Sequence, residues 1–544
     1  MDTKRLILFV IFSFSILMLW DGWQRQHAPQ EQTQQVADAS IPTPTQQAAQ
    51  TSDAPKESDF RLQTAQRINV ETDLYKAEID TSGGDLRRLE LLKHRSAEST
   101  EKNLVLLDDQ AAPMTYVAQT GLIGADLPTH KTVFTAESNN YALSENADKV
   151  DVRLSWVAAS GLKIDKIYTF HRNSYAIDVT YQIHNNTADA IEPSVYYQIV
   201  HDSKSNQGSA MMPTFTGGAY FTEADKYKKL KFTDMAKTNL SKNTKDGWVG
   251  LVQHYFVSAW IPKTGLDREF YTKKLGENIF SIGSVSALGK IAPGASLDVT
   301  AQYYAGPQTQ EYLKKTAPGL EYTVDYGWLT VIASPLFWVL SAIEKLVGNW
   351  GVAIIMLTVL LKAIFFPLSA ASYRSMAQMR ELAPRLQSLK EKFGDDRQKM
   401  QQAMMELYKT EKINPMGGCL PILIQIPVFI SLYWVLMGTV ELRHAPFMLW
   451  IHDLAAKDPL YVLPVLMAIS MFVQTKLNPK PTDPVQAKVM MIMPIVFSVF
   501  FFFFPAGLVL YWLVNNILSI AQQWQINRMI HNENLAKKKG NASR

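Results

Sequence analysis

The chain has 544 residues, 47% of them hydrophobic, and a formal net charge of +4. So small a net charge does not favour nucleic acid as a partner, and we expect no sequence-specific contact with it. The single cysteine, Cys419, has no partner in the chain, so no intrachain disulfide can stabilise the fold.

The first 23 residues have the plan of a signal sequence. Lys4 and Arg5 precede a run of about fifteen apolar residues. No small-x-small cleavage site follows at DGWQRQ, so we predict an uncleaved signal anchor over residues 1–23, with its amino terminus in the cytoplasm. Residues 24–57 are rich in Gln, Ala, Thr and Pro, and this composition predicts a disordered linker.

Apolar and polar residues alternate repeatedly between residues 58 and 325. The pattern is clear in VDVRLSW (150–156), IDVTYQIH (177–184) and LDVTAQYY (297–304). A period of two residues is typical of strands with one buried face. We therefore predict a largely antiparallel, all-β sandwich domain over residues 58–325.

The period changes in the segment that follows the predicted sandwich. Apolar residues recur at helical spacing from Leu336 to Val347, while Ser341 and Glu344 lie on the opposite face. We predict an amphipathic helix within residues 326–350 that lies along the membrane surface. A core helix packed on the sandwich is the alternative.

Five apolar segments of roughly membrane-spanning length complete the chain. The last two share one long stretch, which FPAG at 504–507 breaks into a hairpin. The predicted spans are 351–369, 418–438, 459–475, 489–504 and 507–525. With the anchor they make six transmembrane helices.

Positive charge predicts the orientation of these spans. Lys and Arg concentrate between the spans 351–369 and 418–438 and in the basic tail, 526–544. Because positive residues favour the cytoplasmic side, we expect both termini in the cytoplasm and the sandwich on the outer side of the membrane.

A cytoplasmic helical hairpin is predicted over residues 371–412. Methionines lie among its apolar positions. They are Met376, Met379, Met400, Met404 and Met405. Flexible methionine surfaces suit contacts with clients or partners of many shapes. Packing of one hairpin helix on the other explains the same residues equally well.

A single positive charge, Lys362, lies within the span 351–369. A lysine at the centre of a spanning helix costs roughly 2.5–3.5 kcal/mol, so such residues usually have a function. Its side chain could snorkel to the nearer, cytoplasmic boundary. Because the Cα–Cβ bond leans toward the helix amino terminus, away from that boundary, we favour a polar cavity instead.

Polar residues on other predicted helices lie at a similar depth. Gln425 lies about 10 Å into its span, and the last span carries a polar stripe at helical spacing. The candidate groove residues are Thr358, Lys362, Gln425, Tyr511, Trp512, Asn515 and Ser519. Interhelical hydrogen bonding would explain Gln425 and Asn515 singly. Together the stripes favour a hydrophilic groove that opens to the cytoplasm but not outward.

Motifs for catalysis do not occur in the sequence. It contains no GxxxxGK[ST] nucleotide loop, no HExxH and no GxSxG, and its histidines are scattered. We therefore predict neither enzymatic activity, nor a cofactor, nor a metal site.

Several long segments resemble the YidC/Oxa/Alb family of membrane protein insertases, in its Gram-negative form. These segments are VDYGWL (324–329), VGNWG (347–351), NPMGGCLPILIQIPVFISLY (414–433), ELRHAPFMLWIHDL (441–454) and FPAGLVLYWLVNN (504–516). The resemblance implies a mutarotase-like periplasmic sandwich without carbohydrate chemistry. It also implies nascent membrane proteins as clients in the lipid bilayer, with the Sec translocon and the ribosome as partners.

The resemblance places Lys362 at the position of the family's groove cation. Members usually carry Arg there, so this sequence departs from the pattern. Lys keeps a point charge but lacks the planar fork of Arg, which leaves a simple electrostatic role. The predicted function is that of an insertase and chaperone, working through the groove alone or with the Sec translocon.

Two alternatives to an insertase stay open at the level of sequence. A small-solute secondary transporter would also bury a lysine in its membrane domain. A periplasmic carbohydrate-active module would instead need a sugar-binding cleft within residues 58–325.

Overall fold

A computed structural model describes most of the chain after Asp59. The described residues are 61–96, 101–110, 115–203, 214–393, 396–411, 420–477 and 484–542. The predicted signal anchor and linker lie outside them. The described residues fall into two compact units, divided between Asp325 and Tyr326.

The unit that ends at Asp325 is a β-sandwich. Its described residues contain nineteen strands, β1 to β19 in chain order. They are Arg67–Glu71, Tyr75–Asp80, Asp85–Arg95, Asn103–Leu107, Tyr116–Ile123, Thr135–Ala136, Asn140–Ala142, Lys149–Val157, Lys163–His171, Ala176–His184, Ser194–Asp202, Gly217–Thr222, Lys226–Leu230, Ser241–Thr244, Trp248–Val252, Phe256–Pro262, Arg268–Lys274, Ile279–Ala287 and Ser296–Pro307.

Two sheets divide these strands. One has the order β14-β17-β18-β11-β5-β3-β2-β1-β7, with β4 also paired to β3, and the other has the order β13-β12-β15-β16-β19-β10-β9-β8-β6. Among the described ladders only β1 with β7 is parallel. In β8, Val152 and Leu154 are fully buried while Asp151 is exposed, as the alternation predicts. The predicted β-sandwich is confirmed.

A lysine is buried in the sandwich core, where its ammonium donates two hydrogen bonds. Lys166 on β9 is 0% exposed. Its Nζ donates to the carbonyl oxygens of Gly83 at 3.0 Å and Thr120 at 3.4 Å. The same Nζ lies 5.4 Å and 5.6 Å from the ring centres of Tyr168 and Tyr181, whose faces attract cations.

Opposite charge accompanies this lysine. The buried carboxylate of Asp85 accepts a hydrogen bond from Gln119 at 2.8 Å and lies 3.2 Å from the guanidinium of Arg87. Burial raises the pKa of Asp85 to about 6, against the attraction of Arg87 and Lys166. Burial likewise lowers the pKa of Lys166 to about 7, against the attraction of Asp85. Fixed neighbours thus offset part of the cost of burying charge in this core.

The unit that begins at Tyr326 is helical. Two short helices, α1 (Phe232–Met235) and α2 (Gln310–Thr316), precede it in the sandwich unit. The helical unit contains α3 (Thr330–Val347), α4 (Trp350–Ile364), α5 (Phe366–Phe393), α6 (Arg397–Thr410), α7 (Leu420–Gly438), α8 (Val462–Leu477), α9 (Pro484–Phe501) and α10 (Ala506–Ala542). α10 packs on α4, α5, α7 and α8 and so forms the centre of this unit.

The helix α3 falls within the predicted amphipathic segment 326–350. α3 packs on α4 and α7, and its buried face includes Phe337 and Leu340. Its opposite face is also largely apolar, since Val331, Trp338 and Leu346 are exposed. An apolar outer face on a packed helix fits contact with lipid.

The predicted span 351–369 is interrupted. α4 ends at Ile364 and α5 begins at Phe366, after a bend of 62°. Pro367 has no N–H for the carbonyl of Ala363, which explains the break. α5 then continues to Phe393, so residues 366–369 of the predicted span lie on the same helix as the first part of the predicted hairpin.

Length and hydropathy identify fewer spanning helices than the sequence predicts. Within the described ranges, α3 alone is long and apolar enough to cross a membrane by itself. α4 together with residues 366–379 is a second candidate if the bent pair counts as one span. The apolar helices at 425–438, 462–477 and 491–501 are shorter. The count of six transmembrane helices and the cytoplasmic side of the hairpin therefore stay predictions.

Candidate functional site

Lys362 lies near the end of α4. The side chain of Asn349 accepts a hydrogen bond from Val352 N at 3.0 Å, which caps the start of this helix. Lys362 is 8% exposed, and its Nζ donates to Ser519 Oγ on α10 at 2.7 Å. No ion pair joins Lys362 to any acidic side chain that the structure describes. Its one hydrogen-bonding partner there is a neutral hydroxyl group.

The lysine faces a narrow cavity between α4, α7 and α10. Its polar lining comes from Thr358, Lys362, Gln425, Tyr511 and Asn515, and its apolar lining from Leu361, Phe365 and Val428. The cavity among these side chains has a volume of about 10 Å³. A cavity of roughly 10–15 Å³ is just large enough for one water molecule, so no larger group fits here without movement of the helices.

Hydrogen bonds cross the cavity and connect its walls. Gln425 Nε2 on α7 donates to Asn515 Oδ1 on α10 at 3.2 Å. One turn further along α10, Ser519 Oγ donates to the carbonyl of Asn515 at 2.7 Å. Thr358 Oγ1 donates within α4, to Ile354 O at 2.7 Å. Gln425 and Asn515 thus combine the two roles that the sequence left open, since they join two helices and also line the cavity.

Trp512 lies outside the lining of the cavity. Its ring stacks on Phe429 of α7, with centres 5.2 Å apart, and meets Phe501 at 4.6 Å and Phe504 at 5.5 Å. One residue along a helix turns the side chain by about 100°, so Trp512 points away from the face that carries Tyr511. The structure therefore places Trp512 in an aromatic cluster and not beside Lys362.

The polar residues of α10 divide into two sets. Asn516 Nδ2 donates to Ser470 Oγ at 2.7 Å, and Gln523 Nε2 donates to Leu477 O at 3.3 Å, so both bind α8. Gln522 instead donates to the backbone carbonyl of Lys362 at 3.3 Å. The candidate set from the sequence omits Gln522, although its spacing from Ser519 places both residues on one helical face.

The far end of α4 is closed by the loop between α7 and α8. Asn349 Nδ2 donates to Phe447 O at 2.9 Å, and a Cβ on Gly351 would lie 2.1 Å from the Phe447 ring. At the start of α10, Gly507 N donates to Leu454 O at 2.9 Å. This loop covers the helix ends that lie roughly 18 Å from Lys362 along α4.

The methionines of the predicted hairpin differ in exposure. Met405 on α6 is 57% exposed. The half-buried ones are Met379, Met400 and Met404, and the side chain of Met376 lies outside the described part of the chain. An ion pair between Arg385 and Glu411 links α5 to the residue after α6. Half-burial favours a packing role for three of these methionines, whereas Met405 is available for contact.

Known proteins resemble this chain along almost its whole length. Residues 67–339 match the model of the YidC periplasmic domain, and residues 342–533 match that of the 60Kd inner membrane protein family. The membrane protein insertase YidC of Methylobacillus flagellatus is 72% identical over 100% of both chains. That of Nitrosospira multiformis is 53% identical and covers 97% of this chain and 98% of its own.

A solved structure is also similar. That of an active YidC insertase with its first transmembrane domain resolved has 18% sequence identity and a TM-score of 0.39, and the match covers 84% of this chain and 92% of that one.

Proposed function

The chain belongs to the YidC family of membrane protein insertases, and from this premise we propose how its helical unit handles a client. As a member of this family it is an inner-membrane protein that acts on nascent membrane proteins. The alternative of a small-solute transporter has no support among the relatives.

We propose that Lys362 attracts the polar segment of a client that must cross the membrane. The observation that carries this proposal is a buried ammonium with one neutral partner, Ser519, facing a cavity. A lysine ammonium has three donors, so the remaining ones are available to carboxylate or carbonyl oxygens of a client. Attraction between unit charges 4 Å apart is about 4 kcal/mol at an effective dielectric constant of 20, so an acidic segment would be favoured.

The cavity has to widen to admit a peptide segment. The hydrogen bond between Gln425 and Asn515 would break as α7 and α10 separate. A neutral hydrogen bond contributes only about 0.5–1.5 kcal/mol net, so the cost of this step is small. Closure of the opposite end by the loop after α7 would keep the widened groove open to the cytoplasm alone.

The apolar segment of the client would reach lipid along α7 and α9. Ile426 and Trp434 on α7 are exposed, as are Phe497 and Phe500 on α9. Burial of apolar surface is worth about 25 cal/mol per Å², so partitioning of a hydrophobic segment into lipid could drive the transfer.

The decisive experiment is photocrosslinking from position 425 to a stalled nascent chain. A photoreactive amino acid at Gln425 should crosslink to the polar segment of the client. Ser470 is the matched control, because it is buried between α8 and α10 and lies outside the cavity lining. Equal crosslinking from both positions, or none from position 425, would contradict the proposal.

The six-span topology is tested by cysteine accessibility. In a Cys419→Ser background, single cysteines replace Leu449 in the loop after α7 and Gln401 on α6, both of which are exposed. A membrane-impermeant maleimide should label position 449 in spheroplasts and position 401 only after permeabilisation. The reverse pattern would invert the proposed orientation.

We propose that the hairpin contacts the ribosome or the Sec translocon through Met405. Exposure of this apolar side chain supports the assignment. A photoreactive amino acid at position 405 should crosslink to one of these partners in translating cells, whereas one at the half-buried Met400 should not. The absence of a crosslink from position 405 to either partner would contradict the assignment.

A further inference from the structure

Gln522 makes an unusual contact with the groove lysine. The side chain of Gln522 reaches from α10 to the backbone carbonyl of Lys362 on α4, with Nε2 to O at 3.3 Å. Ser519, three residues earlier on α10, binds the ammonium of the same lysine at 2.7 Å. Residues three apart share one helical face, so α10 holds Lys362 at two points.

The contact lies where α4 loses its own hydrogen bonds. The last four carbonyls of a helix have no partner within it, and in α4 these belong to residues 361–364. Phe365 N satisfies Leu361 O at 3.0 Å. Lys362 O, the next carbonyl, receives the side chain of Gln522. The next helix, α5, begins after a bend of 62°. The side chain of Gln522 therefore joins the end of α4 to a different helix, α10.

We propose that Gln522 is a positioning residue, which holds the end of α4 so that the Lys362 side chain points into the cavity. The inference rests on the proposed function, in which Lys362 is the cation that attracts the client. Without this bond one of the two contacts between Lys362 and α10 is lost, and the direction of the ammonium is less firmly fixed.

The neighbouring residue supplies a matched control. Gln523 Nε2 donates to the carbonyl of Leu477, the last residue of α8, also at 3.3 Å. Gln522 and Gln523 are thus the same residue type, one position apart, and each binds a carbonyl at the end of a helix. They differ in which helix they hold, and Gln523 is the more buried of the two, so replacing Gln523 should reduce stability at least as much as replacing Gln522.

The test is a double-mutant comparison in an insertion assay with the full chain. Gln522→Met should reduce insertion of a client with an acidic translocated segment by about two- to tenfold, as expected for one hydrogen bond. Gln523→Met should change it by less than about twofold. In a Lys362→Met background Gln522→Met should have no further effect, because two residues that act through one group are not additive.

Each outcome has a distinct meaning. Equal losses from Gln522→Met and Gln523→Met, or a loss that adds fully to that of Lys362→Met, would overturn the positioning role and assign Gln522 to stability alone. If Lys362→Met itself leaves insertion unchanged, the proposed function fails, and the role of Gln522 fails with it.

Discussion

Two lysines are buried among the residues that the structure describes, one in each unit, and their surroundings differ. Lys166 in the sandwich has two carbonyl acceptors, two tyrosine rings and a charged network that includes Asp85. Lys362 in the helical unit has one hydroxyl group and a cavity. The first has fixed partners that make its burial tolerable. The second keeps donors in reserve, which is costly for stability and useful for a transient partner.

The surfaces of the two units show the same contrast. Among the described residues, the sandwich has four exposed large apolar side chains, whereas the helical unit has thirty-two. Soluble domains rarely expose continuous apolar surface. The sandwich therefore has the surface of a protein in water, and the helical unit has that of a protein in lipid. In lipid a buried lysine without a counter-ion needs a functional explanation.

Replacing Lys166 should give the largest effect on stability. Lys166→Met removes one of the two cations that attract the buried Asp85 and leaves Arg87 as the other. Removal of one partner from a buried charge network costs about 3–5 kcal/mol. Hydrogen exchange of the full chain should show faster exchange in β3, β5 and β9. Insertion per folded molecule should be unchanged. Unaltered exchange in these strands would show that Lys166 does not stabilise the sandwich.

The stability of the sandwich should depend on pH, because two of its buried groups have shifted pKa values. The pKa of Asp85 is raised from 3.8 to about 6, so its contribution to stability is present below about pH 4 and lost as the pH rises through 6. The pKa of Lys166 is lowered from 10.5 to about 7, so stability rises again above pH 7. The sandwich should therefore be least stable between about pH 6 and 7.

Calorimetry of the full chain in detergent measures this minimum. The sandwich transition is the one that shifts in Lys166→Met. Asp85→Asn should remove the acid limb, a change on the order of 3 kcal/mol, because the variant has no carboxyl group to titrate. If the difference in stability between wild type and variant does not vary between pH 4 and 6, burial does not raise the pKa of Asp85 and this prediction is wrong.

Lys362→Met should show the reverse pattern to Lys166→Met. Stability should change little or increase, because the variant no longer buries a charge without a counter-ion. Insertion of clients with acidic segments should fall about tenfold or more, the value of one charged hydrogen bond. Lys362→Arg should retain activity. A large fall in stability would make Lys362 a structural lysine like Lys166.

Serine replacements should give the smallest effect. Ser519→Ala removes the hydroxyl group that holds the Lys362 ammonium and should reduce insertion by about two- to fivefold. Ser470→Ala removes a bond of equal length, 2.7 Å, from Asn516 and should affect stability alone. Equal effects of the two variants on insertion would show that the hydroxyl group of Ser519 has no special role.

Local pattern predicts some of these features and not others. Alternation at Val152 and Leu154 identifies β8, because a strand has only two faces. Helical spacing places Asn515 and Ser519 on one face of α10. Their closeness to Lys362 depends on how α10 packs on α4. Trp512 is harder, since a residue beside a polar stripe can face either neighbouring helix and only packing decides. Pro367 predicts a bend in the sequence, but it does not predict contacts at the bend such as that between Gln522 and Lys362, which are 160 residues apart.

The charge of the client tests most directly whether Lys362 is kept available for it. Insertion would be measured for one client carrying zero, one, two or three acidic residues in its translocated segment, with the wild type and with Lys362→Met at equal abundance. We predict that insertion increases with acidic residues in the wild type and not in the variant. Parallel dependence in both proteins would contradict the account.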